Sequence, residues 1–579
     1  MPVDREELRA AEAHIAHLEE ELLRLKDVKR ELQSLREEHQ RLRRSAEGRL
    51  VQWLVAPLRV FRGDRVVREA ESSEYERWFE RHRVAATELA RLRVQSRSFV
   101  YRPLISILMP TFNSDESFLR DAIASVAEQC YENWQLIVAD DRSDKDRVRK
   151  QLEELAQCDR RIDLIFRNEH GGISAALNSA LGQATGEWIA LLDHDDLIEP
   201  DALFRAVELL QTDREADVIY SDEDKIIDGH FAAPMLKPDW SPEFFCAYDY
   251  LGHFVFIRRE LAAEGFRAGF DGAQDYDLLL RVSEKTDRIR HIPRVLYHWR
   301  RTAQSTAHNI RRKPGALEAG RQALEEHLAR RGEQGRVRID WNTHAYWIRR
   351  EIGAIKISIV IAGGNAADAE RIRARTDLPD LEILSGDNAG IFRRISNEWV
   401  LLLDCDLEPL ELNWLRLMAE QLANREVGAV GARILRLDDT IESAGYLLTG
   451  DGMARAAFAG FAREHPGVNR QLQVVRNYSA VSASCLLTRT NLFLPALSSL
   501  DIAQNDPVCV GVQYCLMLGD PGFRTVTGPY AEVRRTRSTH DFAAVACAEA
   551  ARRWAGIFHR DPCYNPNLAG ERADFSLGT

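Results

Sequence analysis

The segment Leu191-Leu-Asp-His-Asp-Asp196 sets three carboxylates directly behind the short apolar run 188–192, and Pro200 opens a helical pattern just beyond. Carboxylates crowded at the end of a buried strand repel one another unless a cation or hydrogen bonds offset the repulsion. Their oxygens suit a hard cation, and two carboxylates completed by phosphate oxygens of a substrate is the usual way to hold Mg²⁺ or Mn²⁺. The three carboxylates therefore form a candidate metal site. Capping of the helix after Pro200 accounts for one aspartate but not for three.

The elements that must position these groups can be read around them. Leu104-Ile-Ser-Ile-Leu-Met-Pro-Thr111 is a buried-type strand followed by a helical stretch over 118–129. Trp134-Gln-Leu-Ile-Val-Ala-Asp-Asp141 is a second strand with acidic residues at its end, and 162–166 is a third. The turn His170-Gly-Gly172 and a helix over 173–184 lead to the strand before Asp193. Alternation at this spacing predicts an α/β fold with a mostly parallel sheet covered on both faces. In such sheets ligands lie beyond the carboxyl ends of the strands, where Thr111, Asp141 and Asp193 all fall.

A chain of 579 residues implies two to four domains. The formal net charge of −12 argues against nonspecific nucleic-acid binding. Nine cysteines without paired or metal-type spacing read as reduced and cytosolic. No signal peptide opens the sequence, and no apolar run reaches bilayer length, so the expected location is cytoplasmic, with at most peripheral contact on the cytoplasmic face of the inner membrane.

Residues 5–44 are dense in Glu, Arg and Leu, and Ile15, Leu18, Leu22 and Leu25 follow a 3-4-3 spacing that Leu32, Leu35 and Leu42 resume after a break in phase. Such a seam wants a partner helix, which predicts a homo-oligomer through a coiled coil over 1–48, with a solvated single helix as the alternative. Over 49–100 comes a linker in which Trp53 and Phe61 stand beside Arg59, Arg62, Arg65 and Arg68. Aromatics beside arginines fit an anionic lipid surface, and packing against the following domain explains them equally.

Six fragments in order carry a resemblance: Met109-Pro-Thr-Phe-Asn113, Val138-Ala-Asp-Asp-Arg-Ser143, Leu191-Leu-Asp-His-Asp-Asp196, Tyr220-Ser-Asp-Glu-Asp-Lys225, Lys237-Pro-Asp-Trp240 and Gly272-Ala-Gln-Asp-Tyr-Asp277. Together they resemble an inverting glycosyltransferase of family 2 with the GT-A fold, of the O-antigen and rhamnan type from bacterial surface-polysaccharide clusters. The resemblance covers roughly 103–307 and implies a catalytic GT-A domain over 101–312. It implies a nucleotide-sugar site of Pro110, Thr111, Asn113, Asp141, Asp193, Asp222 and Trp240, with Asp141 accepting a hydrogen bond from a pyrimidine and Trp240 offering an apolar face to a sugar ring. It implies Mn²⁺ or Mg²⁺ at Asp193, Asp195 and His298, for which a buried structural histidine is the alternative. Asp275 takes the place of the catalytic base, preceded by Gln274 where the family usually has Glu.

The pattern then recurs. After a helical connector over 313–350, Lys356-Ile-Ser-Ile-Val-Ile361 echoes 104–108, and Asn397-Glu-Trp-Val-Leu-Leu-Leu-Asp-Cys-Asp406 echoes 186–195. Internal duplication follows, with a second GT-A copy over 351–579. From Ile105 to Asp193 is 88 positions but from Ile357 to Asp404 only 47, so about 41 residues are missing from the nucleotide-binding half. No equivalent of the Asp140-Asp141 strand end is legible there. Asn505-Asp506 stands where a base motif is expected but runs into Pro507-Val-Cys-Val, and Arg534-Arg535 stand where relatives carry histidines. The second copy is therefore read as degenerate. The resulting expectation is a metal-dependent inverting glycosyltransferase that uses dTDP-rhamnose or a UDP-sugar and extends a surface polysaccharide or polyprenol-diphosphate-linked glycan. The alternatives are a transferase with both copies active and a non-catalytic scaffold that recruits partner enzymes through the coil. A nucleotidyltransferase would show a Gly- and Arg-rich loop after the first strand, which Pro110-Thr-Phe-Asn113 is not.

Overall fold

The computed structural model describes residues 74–144, 146–301, 314–386, 389–500, 502, 506–537 and 543–578. The coil at 1–48 and the aromatic and arginine segment at 50–68 lie outside them. The chain divides into Met1–Glu74 and Tyr75–Thr579, and the architecture is that of the second.

Apolar runs build the first sheet. Strand β1 (Ile105–Thr111) is buried along its whole length, as expected of a strand covered on both faces. It pairs in parallel with β2 (Trp134–Asp140) on one side and β4 (Trp188–Leu191) on the other, and β3 (Ile162–Phe166) extends β2 in parallel. Beyond β4 the sheet becomes mixed, which corrects the mostly parallel expectation. The remaining strands are β5 (Leu197–Ile198), β6 (Val218–Ile227), β7 (His230–Met235), β8 (Val255–Arg258) and β9 (Ile289–Arg301). The order is β3-β2-β1-β4-β8-β6-β9-β5, with β7 on β6. The strand β8 runs antiparallel to β4 and β6. The chain turns outward in both directions from β1 and β4, and a crevice opens at their carboxyl ends.

The helix Pro314–Arg330 follows. The expected helical connector then gives way to an antiparallel hairpin of β10 (Gly335–Asp340) and β11 (Ala345–Arg350). In it Val337, Ala345, Tyr346 and Ile348 are buried, a strand alternation rather than a helical one.

The second sheet repeats the first. Its strands are β12 (Ile357–Ala362), β13 (Leu381–Gly386), β14 (Trp399–Asp404), β15 (Leu407–Pro409), β16 (Val427–Leu435), β17 (Ile441–Ser443), β20 (Arg476–Asn477), β21 (Cys485–Arg489) and β22 (Arg524–Arg535), while β18 (Tyr446–Leu448), β19 (Met453–Ala456) and β23 (Ala544–Ala546) form a separate three-stranded sheet. The order β13-β12-β14-β21-β16-β22-β15, with β17 on β16, is the order of the first sheet without β3. The shortfall in length is thus one strand and its helix among the described residues. In addition, the helix Ile173–Gln183 is replaced by the 3-10 turn Ala389–Arg394. The register Ala362↔Gly386 matches Pro110↔Ala139, so Asp387-Asn388 follows β13 in sequence where Asp140-Asp141 follows Ala139. That corrects the reading that nothing corresponds to the acidic pair; residues 387 and 388 lie outside the described ones. The cysteines also depart from expectation: Cys509 and Cys547 are bonded, with Cα atoms 5.4 Å apart. They are 38 positions apart in sequence, so no spacing rule revealed the pair.

The two copies are joined by buried polar contacts. Glu243, on the helix Pro242–Ala247, accepts from Arg524 Nε at 2.9 Å and Nη2 at 2.7 Å, from Asn477 Nδ2 at 2.6 Å and from Asn424 Nδ2 at 3.1 Å. Burial pushes its carboxyl up, but the Arg524 charge outweighs this and holds Glu243 below the usual carboxylate range. The C-terminal segment reaches back as well: Asn565 Nδ2 donates to both oxygens of Asp222 at 3.0 and 2.9 Å, and Asn567 Nδ2 to the Pro293 carbonyl at 2.8 Å. Glu243→Ala would leave two buried amides without this acceptor and Arg524 with Glu426 as its remaining carboxylate. The expected cost is about 3 kcal/mol, read as a lowered thermal midpoint; an unchanged midpoint would show that the seam does not depend on this node.

Candidate active site

At the nucleotide end of the crevice, Thr111 is buried and hydrogen-bonds Ser114. Asn113 adopts φ +50° and clamps the next loop: its N–H donates to Ser143 Oγ at 2.8 Å, and its Oδ1 accepts from the Asp144 N–H at 3.0 Å. Asp140 orders the same loop by accepting from Ser143 N–H and Oγ at 2.9 and 2.5 Å. Pro110 is buried inside β1 opposite Ala139, so it supports the crevice floor rather than facing a ligand. Asp141 spends its oxygens on Arg167 Nε at 2.7 Å, the Gly171 N–H at 3.0 Å, the Gly172 N–H at 2.8 Å and the His170 ring at 2.8 Å. This corrects its expected role as an open acceptor: it fixes the turn before the helix Ile173–Gln183. Gly172 has φ +84°, and a Cβ there would strike Asp271 Oδ2. The exposed ring of Phe112 lies 4.4 Å from that of His170, an aromatic surface suited to stacking a base that motif reading did not single out.

At the end of β4 the three aspartates separate by environment. Asp196 is fully buried and structural, accepting from Tyr297 Oη at 2.6 Å and the Arg300 N–H at 2.7 Å. No hydrogen bond or ion pair among the described residues reaches the carboxylates of Asp193 and Asp195. Burial raises the Asp193 carboxyl above its usual range and the charges of Asp195 and Asp275 add to the rise, while His253 and His194 oppose it. Among the described residues no three His, Cys, Asp or Glu side chains converge into a complete cage. Two partnerless, half-exposed carboxylates under mutual repulsion fit a divalent ion that takes its remaining ligands from a diphosphate.

His298 is not part of this group. It is buried on β9, with Nδ1 2.6 Å from Asp224 Oδ1 and Nε2 3.1 Å from Glu199 Oε1, so neither ring nitrogen is available to a metal. The imidazole facing Asp193 is that of His253, which stacks on Tyr297 with ring centroids 4.6 Å apart. Its fragment Tyr250-Leu-Gly-His-Phe254 carried no sequence signal strong enough to rank it above His298.

Asp275 sits in the first turn of the helix Gln274–Ser283, where the helix dipole favours a carboxylate. It is half-buried, and Oδ1 accepts from the Tyr276 N–H at 2.8 Å. Gln274 closes the preceding turn by accepting from the Gly272 N–H at 2.7 Å. Asp277 faces away, buried against Arg267 and Arg281, and anchors the helix. Sequence reading missed Asp249, whose Oδ1 is buried with no hydrogen-bond partner. Burial, then the Asp275 charge, push its carboxyl up to about 8.

Two expected sugar contacts lie elsewhere. Asp222 is fully buried and holds the Lys237 N–H at 2.8 Å, His291 Nε2 at 2.9 Å and Asn565. Trp240 packs on Phe245 at 5.4 Å and lines a cavity of about 270 Å³ with Glu243, Arg350 and Arg524, at the seam between the copies. Their motifs are structural because the second copy docks on them.

The second copy presents the contrasting case. Arg535 Nη1 donates to Asp404 Oδ2 at 3.0 Å and Asp406 Oδ1 at 2.7 Å, while Nη2 meets Glu442 Oε1 at 2.9 Å. Asp506 caps the helix Pro507–Gly519 by accepting from the Val508 N–H at 2.8 Å, and no carboxylate follows it in that first turn.

His298 supplies a pH test. Burial would lower it, but Asp224 and Glu199 outweigh burial and push it up to about 9. Burial still keeps Asp224 above its usual range, whereas Glu199 is held low; a protonated ring shared by two carboxylates is the state consistent with all three directions. A folded-state value raised above the ordinary 6.5 contributes stability that is complete below about pH 6.5 and lost as pH rises through about 9. The stability advantage over His298→Gln should fall by about 3 kcal/mol across that window. Urea unfolding at pH 6 and 9.5 reads it, and a pH-independent difference would contradict the charged ring.

The family model for glycosyl transferase family 2 matches residues 106–264. The uncharacterized protein y4gI of Sinorhizobium fredii is 34% identical over 542 residues, 82% of this chain and 59% of that protein. The O-antigen biosynthesis protein RfbC of Myxococcus xanthus is 31% identical over 536 residues, 82% of this chain and 41% of that protein. The chain therefore spans at most 59% of the length of these two relatives. Among solved structures, S. aureus TarS 1–349 with UDP-GlcNAc overlaps at a TM-score of 0.32 and 18% identity, over 39% of this chain and 72% of that one. The family match includes β4 and the aspartates behind it and ends before Asp275. Over residues 106–264 this chain is similar to glycosyl transferase family 2.

Proposed function

We propose that the first copy is an inverting glycosyltransferase, moving a sugar from a nucleoside-diphosphate donor to a hydroxyl of a bacterial surface polysaccharide or lipid-linked glycan. The observation that carries this reading is the pair Asp193 and Asp195 behind β4, with no protein partner among the described residues, and Asp275 in the first turn of the helix Gln274–Ser283, near enough for its charge to act on Asp193. The O-antigen role printed for RfbC supports a surface polysaccharide as the product. Donors to try first are dTDP-rhamnose and UDP-linked sugars.

In this reading the Phe112 and His170 rings receive the base, and Thr111, Asn113 and the turn held by Asp141 border the nucleotide. Asp193 and Asp195 hold a divalent cation, Mn²⁺ or Mg²⁺, whose charge offsets that of the departing diphosphate. Asp275 takes the proton from the acceptor hydroxyl as its oxygen attacks the anomeric carbon opposite the leaving group. The bond from that carbon to the diphosphate breaks, and the electron pair leaves with the nucleoside diphosphate. Asp249, in its protonated form, donates a hydrogen bond to the incoming glycan. The second copy braces Asp222 and Glu243 and turns over no donor. The leucine seam at 15–42 supports homo-oligomerisation, and the aromatic and arginine segment at 50–68 supports peripheral contact with the cytoplasmic face of a membrane. No helix among the described residues is long and apolar enough to cross one.

A panel of nucleotide sugars incubated with the full chain, with and without Mn²⁺, tests this through release of nucleoside diphosphate. Asp275→Asn should lower turnover at least about 100-fold while retaining donor binding, and Asp406→Asn should leave turnover within about twofold. Loss of turnover with Asp406→Asn but not with Asp275→Asn would move the reaction to the second copy. A native chain that binds donor without turnover would make it a scaffold.

A further inference from the structure

The two copies carry the same Asp-x-Asp at the same place in the same sheet order, yet the surroundings differ in one respect. In the first copy no described cation pairs with Asp193 or Asp195. In the second, a guanidinium nearly sealed from solvent lies against both aspartates. The Arg535 side chain is 4% exposed, Asp406 6% and Glu442 5%. Every nitrogen of the fork is used: Nη1 on Asp404 and Asp406, Nε and Nη2 on Glu442, with Nη2 also 3.4 Å from Ser484 Oγ. Three carboxylates thus converge on the fixed charge of Arg535, which burial alone would disfavour but which they hold in its protonated form, while the exposed Arg537 lies farther off, with Nε 3.7 Å from Asp406 Oδ2.

We propose that Arg535 is the built-in cation of the second copy, occupying the position of a divalent ion and closing the Asp404, Asp406 and Glu442 cluster to metal. This deepens the reading of that copy as a brace. The fork contacts all three carboxylates and its charge is already spent on them, so it offers nothing to a diphosphate; of the three, Asp404 alone keeps a solvent-facing side, at 29% exposure. The strand pair that carries it explains why the exchange works: β15 and β22 pair with Leu407 opposite Arg535, which brings the side chain against the aspartates just ahead of β15. In the first copy the corresponding strand pair sets Leu197 opposite His298, whose ring turns away to Asp224 and Glu199.

Mn²⁺ itself is the probe, titrated into the full chain and followed by the electron paramagnetic resonance signal of the free ion. Asp195→Asn removes the first-copy site and is expected to abolish binding. Asp195→Asn with Arg535→Ser is expected to regain one equivalent of Mn²⁺ with at least tenfold tighter binding than Asp195→Asn alone; Asp195→Asn with Arg535→Lys regains none. Because Arg535→Ser can fail to fold, Asp406→Asn in the otherwise native chain gives a second measurement, and an unchanged Mn²⁺ stoichiometry supports the proposal. It is overturned if Asp406→Asn removes an equivalent of bound Mn²⁺, or if a folded Asp195→Asn, Arg535→Ser chain binds none. A native chain that binds no Mn²⁺ counts against the metal reading of the first copy and leaves the Arg535 comparison intact.

Discussion

Repulsion between carboxylates at the carboxyl edge of a sheet is the constraint on which the chain turns. Each copy places an Asp-x-Asp behind a fully apolar strand, and each must answer the accumulated negative charge. In the first copy that charge is left open to the crevice, with Asp275 adding to it from the facing helix. In the second it is partly offset from within by Arg535. The same backbone thus yields one edge whose Asp-x-Asp meets no protein cation among the described residues and one whose Asp-x-Asp holds a guanidinium.

The rest of the molecule keeps the open edge rigid. Asp141 consumes two backbone amides, an arginine and a histidine to fix one turn, Asp196 ties β4 to β9, and Asp277 anchors the helix that carries Asp275. The second copy adds Asn565 on Asp222 and Arg524 on Glu243. The proposed transfer, which needs a diphosphate and an attacking hydroxyl in line, would benefit from such anchoring, since small misplacements cost rate steeply.

Much of this was legible in the sequence where a pattern repeats or a strand ends. The apolar runs before Thr111, Asp140 and Asp193 located the crevice, and the echo of 186–195 in 397–406 disclosed the duplication, because periodicity and composition are local properties. The direction of a side chain is not local. His298 looked like a ligand by position, but β9 turns it between Asp224 and Glu199, carboxylates that lie 74 and 99 positions away. Asp222 and Trp240 stood in motifs between metal and base, yet a tail more than 300 residues downstream in sequence claims Asp222. Asp249 stayed invisible because its significance is an oxygen left without a partner, a fact of packing rather than of residue type.

The most direct test of the account is a crystal of the full chain soaked with Mn²⁺ and UDP, measured at the manganese absorption edge. The account predicts one anomalous peak, in contact with Asp195 and the diphosphate and on the same side of the sheet as Asp275, with Arg535 still seated on Asp404 and Asp406. A peak between Asp404 and Asp406, or one in the first copy on the side of the sheet away from Asp275, would contradict it.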